Sequence, residues 1–171
     1  VKNLTYSEIS SWNPCYDPIK VIPAEFSGTA LDLLKTESVP PVDRIWTVVR
    51  PGILSDKLLR LFGIWCASQA LASKPDPTMK AMLDAATQFA NGTIDKATYS
   101  TTENAASAMM DSLGKKKDNV VSAVFHAVFG SPERAASYHS AHSKDRKVTE
   151  IMQLNQLTQM VTDGVATGDV L

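Results

Sequence analysis

The chain has 171 residues, 44% of them hydrophobic, and a formal net charge of −1 at neutral pH. That is one domain's length with apolar material for a core that needs no disulfide or metal. Near-neutrality gives neither the basic excess of a general nucleic-acid binder nor the acidic excess of a nuclease-blocking DNA mimic. No apolar run approaches the ~20 residues that span a bilayer, and no charged-then-apolar leader opens the chain. The expectation is a soluble, cytoplasmic protein without a membrane partner. Of the two cysteines, Cys15 falls in a proline-bounded turn and Cys66 in an apolar helical stretch. They can form one bridge, but buried free thiols are the preferred reading.

Residues 5–12 fit a short helix, stopped at Asn13 because a residue before proline is pushed away from helical angles. The following WNPCYDP, residues 12–18, reads as consecutive tight turns. Trp12, Tyr16 and Cys15 either anchor those turns to the core as a clasp, the favoured reading, or form an exposed aromatic recognition loop. Residues 27–35 fit a second short helix, with Ser27 as its cap and Ala30, Leu31, Leu33 and Leu34 as its apolar contacts. Pro40 and Pro41 break it, and Pro41 suits the first turn of the next helix. Val42, Ile45, Trp46 and Val49 recur there at i, i+3, i+4 and i+7, which favours helix over strand despite the β-branched content.

The stretch 55–72 reads as a buried helix around which the rest of the chain is organised. Ser55 stands at the N-cap and Asp56 puts a negative charge in the first turn. Leu58, Leu61, Phe62, Trp65 and Ala72 share a face, and Leu59, Ile64, Cys66 and Ala70 widen it, so other elements must cover this helix on several sides. Gln69 should reach an edge or find a partner. Gly63 costs roughly 1 kcal/mol against alanine inside a helix, which points to a close helix crossing.

Asp76 as cap and Pro77 at the first position start the next helix. Met79, Met82, Leu83, Ala86, Phe89 and Ala90 form its stripe, and Asn91-Gly92 its left-handed end. A leaner helix spans about 95–113, with Ala97, Tyr99, Ala105, Ala106, Ala108, Met109 and Leu113 inward. Lys115, Lys116 and Lys117 make a loop, more a solvated connector than a phosphate site, since three charges release few counterions. Asp118 caps an apolar helix carrying Val120, Val121, Val124, Phe125, Val128 and Phe129. Gly130 ends it; Ser131 caps the next, with Pro132 at its first position. From Glu133 to about Thr162 nothing interrupts, so one long helix or two bent near Ser143 both fit. Val148, Ile151, Leu154, Leu157 and Met160 or Val161 form the C-terminal stripe, and 164–171 reads as a tail.

The candidate chemistry is thin. His139 and His142, three apart on a helix, can face one direction, but a zinc site needs three or four ligands and none completes this pair. His126 sits on an apolar helix and reads as a packed histidine rather than a base. Cys66 lies where thiols are inert. Arg44, Arg50 and Arg60 surround Trp46 and Trp65. Pairing with Asp43, Asp56 or another carboxylate, in a network tying the N-terminal clasp to the core, is preferred to an exposed binding patch. No catalytic, cofactor-binding or metal-ligating residue is assigned. For a protein surface the candidates are Trp12, Tyr16, Lys115, Lys116, Lys117, His139 and His142.

Taken together, WNPCYDP at 12–18, GTALDLL at 28–34, DRIW at 43–46 and LRLFGIWCA at 59–67 resemble a family of small proteins encoded by tailed bacteriophages and prophages. FANG at 89–92 is similar to it as well. The central segment is similar, more loosely, to all-helical bacterial proteins described as immunity proteins. The resemblance covers most of residues 6–113 and weakens beyond. It implies a phage accessory protein and supplies no catalytic residue.

These readings converge on an all-α single domain of about seven helices. Residues 1–26 form the clasp, 27–163 the helical body and 164–171 the tail. The expected function is non-enzymatic: a phage accessory protein that binds and modulates a host protein, in its sharpest form a counter-defence inhibitor. Alternatives are a toxin-neutralising immunity-type protein, a homo-oligomeric helical module joined through the C-terminal helix, and a small hydrolase or nucleic-acid enzyme using His126, His139 and His142. No cofactor is expected, and nucleic acid is not expected as a general ligand.

Overall fold

The computed structural model describes residues 2–14, 20–114 and 118–167, the last two without their side chains. Among these the fold is all-α, with nine helices and one short ladder. They group into two compact units, one of Val1–Leu58 with Glu150–Leu171, the other of Leu59–Thr149.

In the first unit, β1 (Asn3–Thr5) and β2 (Ser27–Thr29) pair antiparallel, Leu4 opposite Gly28. Asn3 donates to the Ser27 hydroxyl across the pair at 2.7 Å. The ladder brackets α1 (Tyr6–Ser11), whose N-cap is Thr5 and whose Ile9, like Leu4, is fully buried. Asn13 ends the segment at φ +50°, a left-handed angle that asparagine tolerates. The ladder corrects the sequence reading: Ser27 lies in β2, and Thr29 caps α2 (Ala30–Leu34) in a reciprocal box with Asp32. That box holds the Asp32 carboxyl below its ordinary range through the Thr29 hydroxyl and amide. Next, α3 (Pro41–Val48) starts on Pro41 as expected and buries Ile45, Thr47 and Val48. Val42, expected inward, is exposed.

Two helices belong to both units by chain position. In α4 (Asp56–Ala72) the Ser55 hydroxyl accepts from the Leu58 amide at 3.2 Å, so the cap stands. Leu58, Leu59, Phe62, Ile64, Cys66, Ala67, Ala70 and Leu71 are buried, and Gln69 is exposed. Ala72 is exposed too, outside the face assigned to it. In α9 (Arg146–Thr167) Gln153, Leu154, Leu157 and Val161 are buried, whereas Val148 and Ile151 of the expected stripe are exposed. The helix runs on through buried Gly164, so the tail does not begin there.

The second unit contains α5 (Pro77–Ala90), α6 (Lys96–Leu113), α7 (Asn119–Val128) and α8 (Pro132–His142). Aspartates cap three of them: Asp76 accepts from Met79 at 2.9 Å, Asp95 from Thr98 at 2.8 Å and Asp118 from Val121 at 3.0 Å. Helix α7 packs against α5, α6 and α8. Of the lean face of α6 only Tyr99 and Ala106 are buried; Ala97, Ala105 and Ala108 face water. The Tyr99 hydroxyl donates to the Val128 carbonyl at 2.5 Å, and burial pushes its pKa up to about 12. Its ring stacks on Phe89 with centroids 4.4 Å apart.

Between α8 and α9 no proline or glycine was needed to break the helix. Ser143 leaves helical angles, its hydroxyl accepts from the Asp145 amide at 3.2 Å, and Asp145 caps α9 by accepting from Val148 at 3.1 Å. Local side-chain bonds here outcompete the backbone ladder. Ser131, expected as the cap of α8, makes no side-chain cap bond.

Candidate functional site

Of the candidate surface residues the structure describes Trp12, His139 and His142. Tyr16 and Lys115, Lys116 and Lys117 lie outside the described residues, as does Cys15. Trp12, half-buried in the first unit, faces Arg50, whose guanidinium carbon lies 5.3 Å from the Trp12 ring and 3.7 Å from the Trp46 ring. The arginine thus ties the N-terminal segment to α3 through ring faces rather than through Asp43 or Asp56. Arg44 donates to the Leu34 carbonyl at the end of α2, 2.8 Å away. Burial lowers its pKa, and the Glu37 carboxylate opposes that. The contacts of the two arginines are thus the Leu34 carbonyl, with Glu37 nearby, for Arg44 and two tryptophan rings for Arg50, not the expected Asp43 or Asp56.

In the second unit His139 is only 6% exposed. Its ring meets Trp65 edge-on, centroids 6.0 Å apart. That places it in the core, not on a recognition surface. His142, one turn on, is exposed and shares a 2.6 Å hydrogen bond with the Ser73 hydroxyl. The two histidines therefore do different things despite their i, i+3 spacing. Burial, reinforced by the nearby His142, lowers the His139 pKa below its ordinary 6.5.

A pH prediction follows from that sign. The unfolded chain binds more protons than the folded one once His139 begins to titrate, so stability present above the unfolded pKa is lost as pH falls through the folded one. Urea midpoints are expected to drop between about pH 7.5 and about pH 5, and to drop less in His139→Gln. A direct NMR titration of the imidazole checks the assignment, and a His139 midpoint at or above the free value would refute it.

Arg60 packs across Phe89, 5.0 Å from its centroid, and against Gly130. A Cβ at Gly130 would lie 2.9 Å from the guanidinium, the movable end of a flexible side chain, so it is the backbone, at φ +69°, that favours glycine there. Cys66 is a free, fully buried thiol whose pKa burial pushes far up, which leaves it unreactive. Among the described residues no three His, Cys, Asp or Glu side chains group to hold a metal, and no helix is long and apolar enough to cross a membrane.

Two features escaped the sequence reading. On α9, Val148, Ile151 and Met152 are 51%, 49% and 45% exposed at i, i+3 and i+4, so one helix face presents three apolar side chains to water. The spacing was visible, but periodicity cannot say which apolar face is left uncovered. The second is a polar cleft on α6, α7 and α8 around His126, whose residues come from three separate stretches.

No family model matches the chain, and neither a curated protein nor a solved structure does.

Proposed function

We propose that the chain is a non-catalytic phage accessory protein that binds a host protein and alters its activity, counter-defence being the sharpest form. The phage setting rests on the sequence resemblance. The observation that supports binding is the Val148, Ile151 and Met152 face of α9. Three neighbouring large apolar side chains, each near half exposed, lie on one helix face, and that grouping supports a contact surface there. Exposed Lys144 and Lys147 border its N-terminal end, which suits a partner groove with an acidic rim. Helix-in-groove recognition uses this i, i+3, i+4 spacing.

Ile151→Glu with Met152→Glu tests this directly. Both sites are exposed, so the fold by circular dichroism is expected to persist. Affinity for a partner captured by the wild-type chain and then purified should fall about 100-fold or more, as loss of central apolar anchors does. Unchanged binding by the double variant would reject this face. A concentration-dependent dimer in sedimentation, lost in the same variant, would transfer the face to a second copy of the chain instead.

A further inference from the structure

A cleft of ≈ 530 Å³ in the second unit is lined by Ser107 and Asp111 of α6, Ser122, Phe125 and His126 of α7, and Tyr138 of α8. Part of its lining is aromatic. His126 lies parallel to Tyr138 with centroids 5.4 Å apart and meets Phe125 edge-on at 5.3 Å. Phe125 is in turn backed by Phe129 at 4.6 Å.

Among the described residues, the side-chain polar atoms of this lining have no hydrogen-bond partner. Elsewhere in the chain, helical hydroxyls bond to the carbonyl four residues back: Thr47 and Thr87 at 2.8 Å, Ser68 at 2.9 Å and Thr158 at 2.7 Å. Ser107 and Ser122 make no such bond. Nor do the Tyr138 hydroxyl or the ring nitrogens of His126 have a hydrogen-bond partner among the described residues. Ser122 is 7% exposed and His126 half-buried, so these groups are partly withdrawn from water without internal compensation. Sheltered polar groups without protein partners are where a ligand finds its hydrogen bonds.

Charge selects the ligand. Among the described residues of the lining Asp111 is the one formal charge at neutral pH. Burial, with Arg134 beside it and Glu133 opposing, lowers the His126 pKa, which keeps its ring neutral. An anion would meet the Asp111 carboxylate, and no described residue of the lining carries a positive charge; Arg134 acts on His126 from outside the lining. An ammonium gains both the carboxylate and the aromatic faces, and a flat ring adds stacking area.

We propose that this cleft binds a small organic cation made of a flat ring and a protonated amine. Asp111 is its counter-ion, the Phe125, His126 and Tyr138 wall its platform, and the Ser107, Ser122 and Tyr138 hydroxyls its hydrogen-bond partners. The cleft shares no residue with the α9 face, and the proposal stands without it.

Phenethylamine, phenethyl alcohol and phenylacetate share the ring and differ in the charge of the head group. Titrated into the isotope-labelled full chain at neutral pH, phenethylamine is expected to shift amide resonances around the cleft saturably. Phenylacetate should bind at least about tenfold more weakly, and the alcohol should fall between them. Asp111→Asn, an exposed change, should weaken the amine about tenfold and leave the alcohol unchanged. Equal binding of amine and carboxylate, an amine affinity indifferent to Asp111→Asn, or no saturable shift at millimolar probe would each overturn the proposal.

Discussion

Phe62→Ala is expected to destabilise the chain by about 3–5 kcal/mol, the range for deleting a fully buried aromatic ring. Phe62 is 0% exposed and stacks on Trp65 one turn away, centroids 6.5 Å apart. The loss has two parts: the transfer free energy of the ring, and the cavity left because its surroundings relax only partly. Close-packed helices cannot fill such a void without moving backbone. Against a typical stability of about 5–15 kcal/mol, the variant would sit close to unfolding at 37 °C. Urea titration followed by far-ultraviolet circular dichroism measures this. A loss below about 1 kcal/mol would mean that the α4 core is not packed as described. Leu61→Ala, on the same helix but half-buried, is expected to cost markedly less and serves as the control.

The second large effect is expected at Gly63, and there the direction depends on the size of the side chain. A Cβ built at Gly63 meets the Pro132 Cα at 3.2 Å, the Pro132 Cβ at 3.5 Å and the Ala135 Cβ at 3.8 Å. Gly63→Ala sets that tight contact against a helix-propensity gain of about 1 kcal/mol, so its net change should stay within about 1 kcal/mol. Gly63→Val pushes two further methyls toward α8 at its first turn, where the backbone itself is the obstacle. A loss of about 2–4 kcal/mol is expected, at or above the upper end of overpacking. Equal stabilities for the two variants would show that α8 yields readily and that glycine is not required by the crossing.

The helix boundaries were largely legible because they are set by local chemistry. Asp76, Asp95 and Asp118 accept from amides three residues on, and Pro41, Pro77 and Pro132 occupy first helical positions. Such signals act within one turn of chain and need no partner. Gly63 was legible for another reason: a glycine inside an apolar helix is costly unless something packs close, and the start of α8 does. What failed was pairing between distant residues. Nothing near Ser27 announces a strand. Its conformation comes from β1, 22 or more residues earlier, so the reading of Ser27 as a helix cap lost to tertiary pairing. His139 and His142 look equivalent by spacing, yet one meets Trp65 and the other Ser73. The cleft was illegible for the same reason, since Asp111, His126 and Tyr138 lie on three helices and no one of them forms a motif.

Sequence alone determined that the chain is helical, where most helices begin, and that 55–72 carries much of the apolar surface, because caps, prolines and periodicity act over short distances. Tertiary structure decided which apolar faces stay uncovered, which aromatic rings Arg50 lies between, and which unused polar groups share a cleft. Those outcomes depend on contacts between segments far apart in the chain, and the free energy of such a contact is a property of the pair, written in neither stretch by itself.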